Sequence, residues 1–318
     1  MTRRPGGAAA GAALCLVSAA GFGAMAIFGK LAYEAGVPTL MLLLVRFTFA
    51  GAIFWGALAA RPRLRPSGGV ATGLALGAVG YAAQSGLFFG ALHRLDASLL
   101  ALVLYTYPAW VTLAAYALGR ERPTRRRLVA LALSSAGLVI VLAGAASGSF
   151  DALGTAMGLG AALAYTVYIL VADRVSAGMA PLALSALVCL GAAATFAVVG
   201  GATGQVTTHF AAEGWLWLAL IAIVSTALPI ATFFAGLARV GPSTASILST
   251  FEPVVTVTLA YLAFSERLSA AQLAGAALVL GAAVLLTARR SAAAPRAGRP
   301  TARPPTPSTR WPRPAERG

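Results

Sequence analysis

Residues 97–118 read ASLLALVLYTYPAWVTLAAYAL, and residues 243–268 read STASILSTFEPVVTVTLAYLAFSERL. One shift of the chain lays Pro108 on Pro253, Tyr116 on Tyr261 and Glu121-Arg122 on Glu266-Arg267. Leu128 then meets Leu273, and a shift one residue shorter sets Lys30 opposite Arg174. Alanine matches carry little weight in so alanine-rich a chain, but a proline, a tyrosine and a Glu-Arg pair in register are harder to obtain by chance. The chain therefore reads as two related halves.

Both stretches are also apolar enough to cross a bilayer core, which takes about 20 residues of helix. Working outward finds ten such runs, at 8–29, 38–60, 69–92, 97–118, 128–146, 152–172, 180–200, 214–238, 243–264 and 269–288. The N-terminal run continues past the point where a signal peptide would be cleaved, so it reads as a retained first helix. Glycines at 73 and 77, and at 154 and 158, give the small-residue spacing that lets membrane helices approach closely. Composition agrees: 59% of the 318 residues are apolar and 10% are charged, against about 25% charged in a soluble domain. Too few charges remain to cover a water-facing surface. The expected fold is an all-α polytopic membrane protein of ten transmembrane helices, with five-helix repeats at 1–146 and 147–290. An odd number of spans per repeat inverts the second in the membrane.

The net charge of +15 suggests nucleic acid at first sight. The basic residues, however, flank apolar runs and show no aromatic interleaving, so no nucleic-acid partner is expected. Arg3, Arg4, Arg61, Arg63, Arg65, Arg120, Arg122, Arg125, Arg126, Arg127, Arg174, Arg239, Arg289 and Arg290 fall on one side. Only Lys30, Arg94 and Arg267 fall on the other. The positive-inside rule places both termini in the cytoplasm. Residues 291–318 are dominated by proline and arginine and read as a disordered cytoplasmic tail. Cys15 and Cys189 lie in apolar runs without metal-ligand spacing, and no cofactor or metal is expected.

The two quoted stretches resemble the drug/metabolite transporter superfamily, in its EamA-type ten-helix group, and the resemblance extends over residues 8–290. It implies helices packed around a central cavity and export or uptake of small metabolites. Tyr107, which stands opposite Glu252 in the repeat, departs from symmetry. We expect an inner-membrane secondary transporter of a small metabolite or drug-like solute, exporting by alternating access, with the lipid bilayer and the solute as partners. The alternative is a membrane-embedded structural or regulatory subunit without transport activity. The sequence names neither the substrate nor the oligomeric state.

Glu252 is the sharpest single signal, the one acidic residue deep in a span. A charge at mid-bilayer costs roughly 2.5–3.5 kcal/mol on insertion scales, so it reads either as a carboxylate for a proton or cationic group, or as a helix–helix hydrogen bond. Ser249 and Thr256 share its helical face. Arg46, the lone basic residue inside a span, lies nearer the outer side; it could snorkel, pair with backbone carbonyls, pair with Glu252 or hold an anion. Tyr81, Gln84, Tyr105, Tyr107, Trp110, Tyr165 and Tyr168 are candidate cavity residues, while Trp215 and Trp217 suit an interfacial belt. Pro108, Pro229 and Pro253 are expected kinks and candidate hinges. An enzyme is not expected: His93 and His209 fall in or near outer loops, away from Ser85-Gly86, and no phosphate-cradling Gly-Lys motif occurs.

Overall fold

The computed structural model describes residues 5–64, 66, 68–119, 125–145, 151–176, 179–240, 248–249 and 251–287. The 291–318 tail, Arg3, Arg4, Arg65, Arg120, the Glu121-Arg122 turn, Arg289 and Arg290 lie outside the described residues, as do the side chains of Arg126, Arg127 and Arg174.

Among the described residues the chain is helical and holds no strand. That follows from the solvent: lipid offers the backbone no hydrogen bonds, and a helix satisfies its own. Among the described residues, six helical stretches are long and apolar enough to cross a membrane: Ala9–Glu34, Thr39–Ala59, Val70–Leu92, Ala152–Ala172, Pro181–Thr203 and Glu213–Phe233. Shorter apolar helices at Ala97–Val111, Leu128–Val141, Glu252–Phe264 and Ala270–Ala282 fall where the remaining spans are expected.

The elements are α1 (Pro5–Gly23), α2 (Met25–Glu34), α3 (Thr39–Ala59), α4 (Val70–Ala75), α5 (Ala82–Leu92), α6 (Ala97–Leu104), α7 (Tyr107–Ala117), α8 (Arg125–Ala145), α9 (Ala152–Ser176), α10 (Pro181–Thr203), α11 (Glu213–Ala222), α12 (Leu228–Val240), α13 (Glu252–Phe264) and α14 (Ala270–Thr287). Several expected spans are thus composite. The first changes helix at Ala24, and the fourth breaks at Tyr105-Thr106. A π-helical turn at Leu76–Tyr81 joins α4 to α5, and another at Ile223–Ala227 joins α11 to α12. The connection expected over Gly200–Glu213 is shorter, because α10 runs through Gly200 and ends at Gly204, whose φ of +67° closes the helix in the left-handed region.

The helix pairs with most contact are α8 with α14, α3 with α10, α1 with α12, and α5 with α9. Each joins the first half of the chain to the second, so the core is shared. Phe47, Phe89, Leu42, Leu43, Leu99 and Leu187 are fully buried in it. The outer surface is apolar as well. Val79 and Val198 are each 71% exposed, and Leu262 is 70% exposed. Such side chains on every flank suit hydrocarbon rather than water.

The spacing of Gly73 and Gly77 is used. Gly73 faces Leu187, and Gly77 lies against the backbone of Val188, so close that a Cβ would run into its carbonyl. Gly191 on α10 returns the contact against the carbonyl of Leu74. The π turn leaves the carbonyl of Ala78 free to accept from Thr195 Oγ1 at 2.7 Å. This crossing sets the position of Tyr81, the last residue of the turn.

Candidate functional site

A cavity of about 310 Å³ lies where the two halves meet. Glu252, Arg46, Tyr81, Gln84, Tyr105, Tyr107, Tyr165, Tyr168, Ser249 and Thr256 all line it. Trp110 does not: its Nε1 donates to Thr106 Oγ1 at 3.2 Å, and that hydroxyl donates to Val103 O at 2.7 Å. Trp110 therefore braces the α6–α7 break, a role its aromatic character did not disclose.

Arg46 does not snorkel. It is 2% exposed, and its Nε donates to Thr226 Oγ1 at 3.0 Å. The guanidinium lies 4.8 Å from the ring centroid of Phe47 and 5.6 Å from that of Phe89, a cation–π seat. Thr226 belongs to the second π turn and donates its own proton to Ile221 O at 2.9 Å. Among the described residues no carboxylate comes within 4.0 Å of Arg46, so it forms no ion pair with Glu252. Both charged groups remain available to the cavity.

Glu252 opens α13, where unpaired backbone N–H groups and the helix dipole favour a negative charge. Pro253 follows at a first-turn position, where its missing N–H costs nothing. Tyr105 supplies the partner: its hydroxyl lies 3.1 Å from Glu252 Oε2 and donates to Ser249 O at 2.6 Å. A phenol carries one proton, so these two acceptors compete for it. The hydroxyl of Thr256 goes instead to Gly23 O at 2.9 Å and to Glu252 O at 3.2 Å. It closes the α1–α2 junction against α13 and leaves the carboxylate alone.

An aromatic wall runs from the acid to the guanidinium. Ring centroids are 5.7 Å apart for Tyr105–Tyr107, 4.8 Å for Tyr107–Tyr165, 5.9 Å for Tyr165–Tyr168, 5.1 Å for Tyr81–Tyr168 and 5.4 Å for Phe47–Tyr81. These fall in the range of favourable edge and offset pairs.

The prolines sit beside the helix breaks rather than inside straight helices. Pro108 follows the Tyr105-Thr106 break, Pro229 follows the second π turn, and Pro253 lies in the first turn of α13. Pro229 O is held by Ser18 Oγ at 2.8 Å. Trp215 is exposed at the start of α11, and Trp217 packs against Phe28 with centroids 6.2 Å apart. Sequence reasoning missed Thr226 and Ser18; polar residues within apolar spans were the signal that would have found them.

Away from the cavity, Glu266 gathers Lys30 Nζ at 2.7 Å, Ala97 N at 3.1 Å, Ser98 N at 3.0 Å and Ser98 Oγ at 2.8 Å. It caps α6 from the turn between α13 and α14. Burial opposes ionisation, but Lys30 and the Ser98 donors outweigh it and hold the carboxyl below its usual range. A depressed folded-state value stabilises the protein above the unfolded value of about 4.3, and that contribution is lost as pH falls through the folded value. Glu266→Gln is expected to cost about 2–3 kcal/mol at neutral pH. The gap in thermal stability between wild type and variant should narrow below pH ~4.3; a gap independent of pH would count against this charge network.

Apolar helices on all flanks and a central cavity lined by two opposite charges that, among the described residues, form no ion pair point to a multi-pass membrane transporter. The model of the EamA-like transporter family matches residues 9–143 and again residues 152–288, and the chain belongs to that family, within the drug/metabolite transporter superfamily. An uncharacterized transporter of Archaeoglobus fulgidus is 27% identical over 62% of this chain and 70% of its own. The uncharacterized transporter YcbK of Bacillus subtilis is 25% identical over 84% and 89%. The threonine/homoserine exporter RhtA of Salmonella typhimurium is 28% identical over 69% and 70%. A protein crystal structure at 21% identity superposes with a TM-score of 0.65, covering 90% of this chain and 99% of that one, and shares the fold.

Proposed function

We propose that this chain is a secondary transporter that carries a small organic solute out of the cell by alternating access, with the central cavity as its solute site. The carrying observation is the pair Arg46, buried, and Glu252, half-buried, which line one cavity at the junction of the two halves and are unpaired with each other. A structural subunit would gain nothing from two separate charges that face one cavity. The major helix pairs support inverted repeats at 1–146 and 147–290. Counting spans, α1 with α12 joins spans one and eight, and α5 with α9 joins spans three and six; advancing each span by one repeat turns the first pair into the second. Such halves can exchange conformations and open the cavity to either side. The exporter among the relatives favours the outward direction, and the arginine bias supports an inner-membrane protein with both termini in the cytoplasm. Glu252 serves as the coupling site for protons.

Vesicles containing only this protein should accumulate or release solute in response to an imposed pH gradient. A ligand of the cavity should also raise the apparent melting temperature of the purified protein. A thermal shift without flux would support the alternative, a non-transporting membrane subunit.

A further inference from the structure

Two acids are placed to cap α6, and the more distant one in sequence does so. Asp96 occupies the N-cap position with extended backbone, φ −61° and ψ 144°, yet its carboxylate makes no capping hydrogen bond. An N-cap aspartate ordinarily accepts from the second or third residue of its own helix, here Ser98 or Leu99. Ser98 N instead donates to Glu266 Oε2 at 3.0 Å, and Ala97 N to Glu266 Oε1 at 3.1 Å. Lys30 likewise has two acids within reach: Glu266 at 2.7 Å, from the other half of the chain, and Asp96 at 3.8 Å, from its own half. We propose that this cluster is a latch over one end of the central cavity. It is closed while Glu266 holds Lys30 and the α6 N-terminus, and open when Asp96 takes over both. The latch rests on the alternating-access reading above and names the contacts that seal one side.

Three observations carry it. First, the cluster sits one helical turn beyond the cavity. Ala26 of α2 and Ala101 of α6 line the cavity, and Lys30 and Ser98 follow one turn further out on the same helices. The lining extends away from the latch, to Ser185 near the start of α10; that helix ends on the latch side, where Gly200 faces Leu40 of α3. Second, both helices that Glu266 holds are short and stop at a break at cavity depth. α2 begins after Ala24, beside Met25 of the lining, and α6 ends before Tyr105, also in the lining. Each can tilt about its break without displacing the rest of its span, as element-terminal hinges do. Third, the seal is polar. When it parts, Lys30 and Glu266 meet water, where an ion pair is nearly neutral in free energy. An apolar seal would expose hydrocarbon surface at each opening. With Asp96 available to Lys30 and to α6, opening leaves no ammonium or N–H group without a partner.

The experiment reads the distance across the latch in the full chain in lipid nanodiscs. Electron–electron double resonance between nitroxides on the exposed sites Glu34→Cys and Arg267→Cys, with Cys15 and Cys189 replaced by alanine, gives the closed and open populations. Glu266→Gln is expected to lower the closed-to-open ratio at least tenfold, because the amide keeps the shape but not the charge that gathers Lys30 and the N–H groups. Asp96→Ala added to that variant is expected to restore the ratio severalfold, because the open form then loses its substitute cap. Lys30→Gln, which leaves Glu266 on α6, should give a smaller shift toward open, and it replaces Glu266→Gln in both comparisons if that variant fails to fold. A merely structural cap predicts that each further loss loosens the same contacts. A wider opening on adding Asp96→Ala therefore overturns the latch, as does an unchanged distance distribution in the charge variants. The transport reading fails separately. Opposed shifts without gradient-driven flux in vesicles would keep the latch and discard the carrier, whereas gradient-driven flux with identical distances in every variant would keep the carrier and discard the latch.

Discussion

Glu252→Gln should yield protein that inserts and folds, binds ammonium-bearing solutes tenfold or more weakly, and moves solute without responding to a pH gradient. The glutamine keeps the shape of the side chain and still presents an oxygen to the Tyr105 hydroxyl, 3.1 Å from the carboxylate in the native protein. What it loses is the charge, and hydrogen bonds to charged groups are worth about 1.5–3 kcal/mol. On the proposed transport reading a proton and a cationic group would compete for one carboxylate: a proton from outside would displace the cation, and a carboxylate emptied on the inside would collect the next one. Such an exchange needs a group that ionises. The readouts are flux with and without an imposed gradient, and binding by thermal shift. Gradient-driven flux at the native rate would remove Glu252 from the mechanism, and a misfolded variant would return it to a structural helix–helix bond.

Gly77→Leu is the second large effect, and it acts on folding. A Cβ at Gly77 meets the backbone of Val188, and Gly191 is equally tight against Leu74 and Ala78. Backbone cannot swing aside as a side-chain tip can, so the helices must part. Separation would break the Thr195–Ala78 bond of 2.7 Å and move Tyr81 off the cavity wall. Overpacking alone costs about 1–3 kcal/mol, and the lost bond adds to it. We expect little monodisperse protein and a melting temperature lowered by many degrees. Gly86→Ala is the control, since nothing lies within 4 Å of a Cβ placed there. A Gly77→Leu protein that melts with the wild type would refute the close crossing.

Much of the fold was legible because lipid is an exacting solvent. It requires long apolar helices, and it makes each departure from apolarity conspicuous. Glu252 and Arg46 stood out on that ground alone. The tyrosines were legible as a set but not as a wall, and Trp110 was indistinguishable from them until its indole was found on Thr106. The π turns at Leu76–Tyr81 and Ile223–Ala227 were not legible at all. A π turn needs one extra residue in a helix, and its stability comes from partners elsewhere, such as Thr195 for the first and Arg46 for the second.

By itself, then, the sequence determined the helical membrane class, the paired halves and the charged residues a bilayer would not tolerate without a reason. These depend on local composition and on register along one chain. Only the tertiary structure decided that Arg46 turns inward to Thr226, that Tyr105 rather than Thr256 meets the Glu252 carboxylate, and that the two charges stay apart. Those contacts join residues far apart in the chain, on helices whose mutual rotation is set by glycine crossings and π turns. Periodicity along one helix carries no information about what another helix places in front of it.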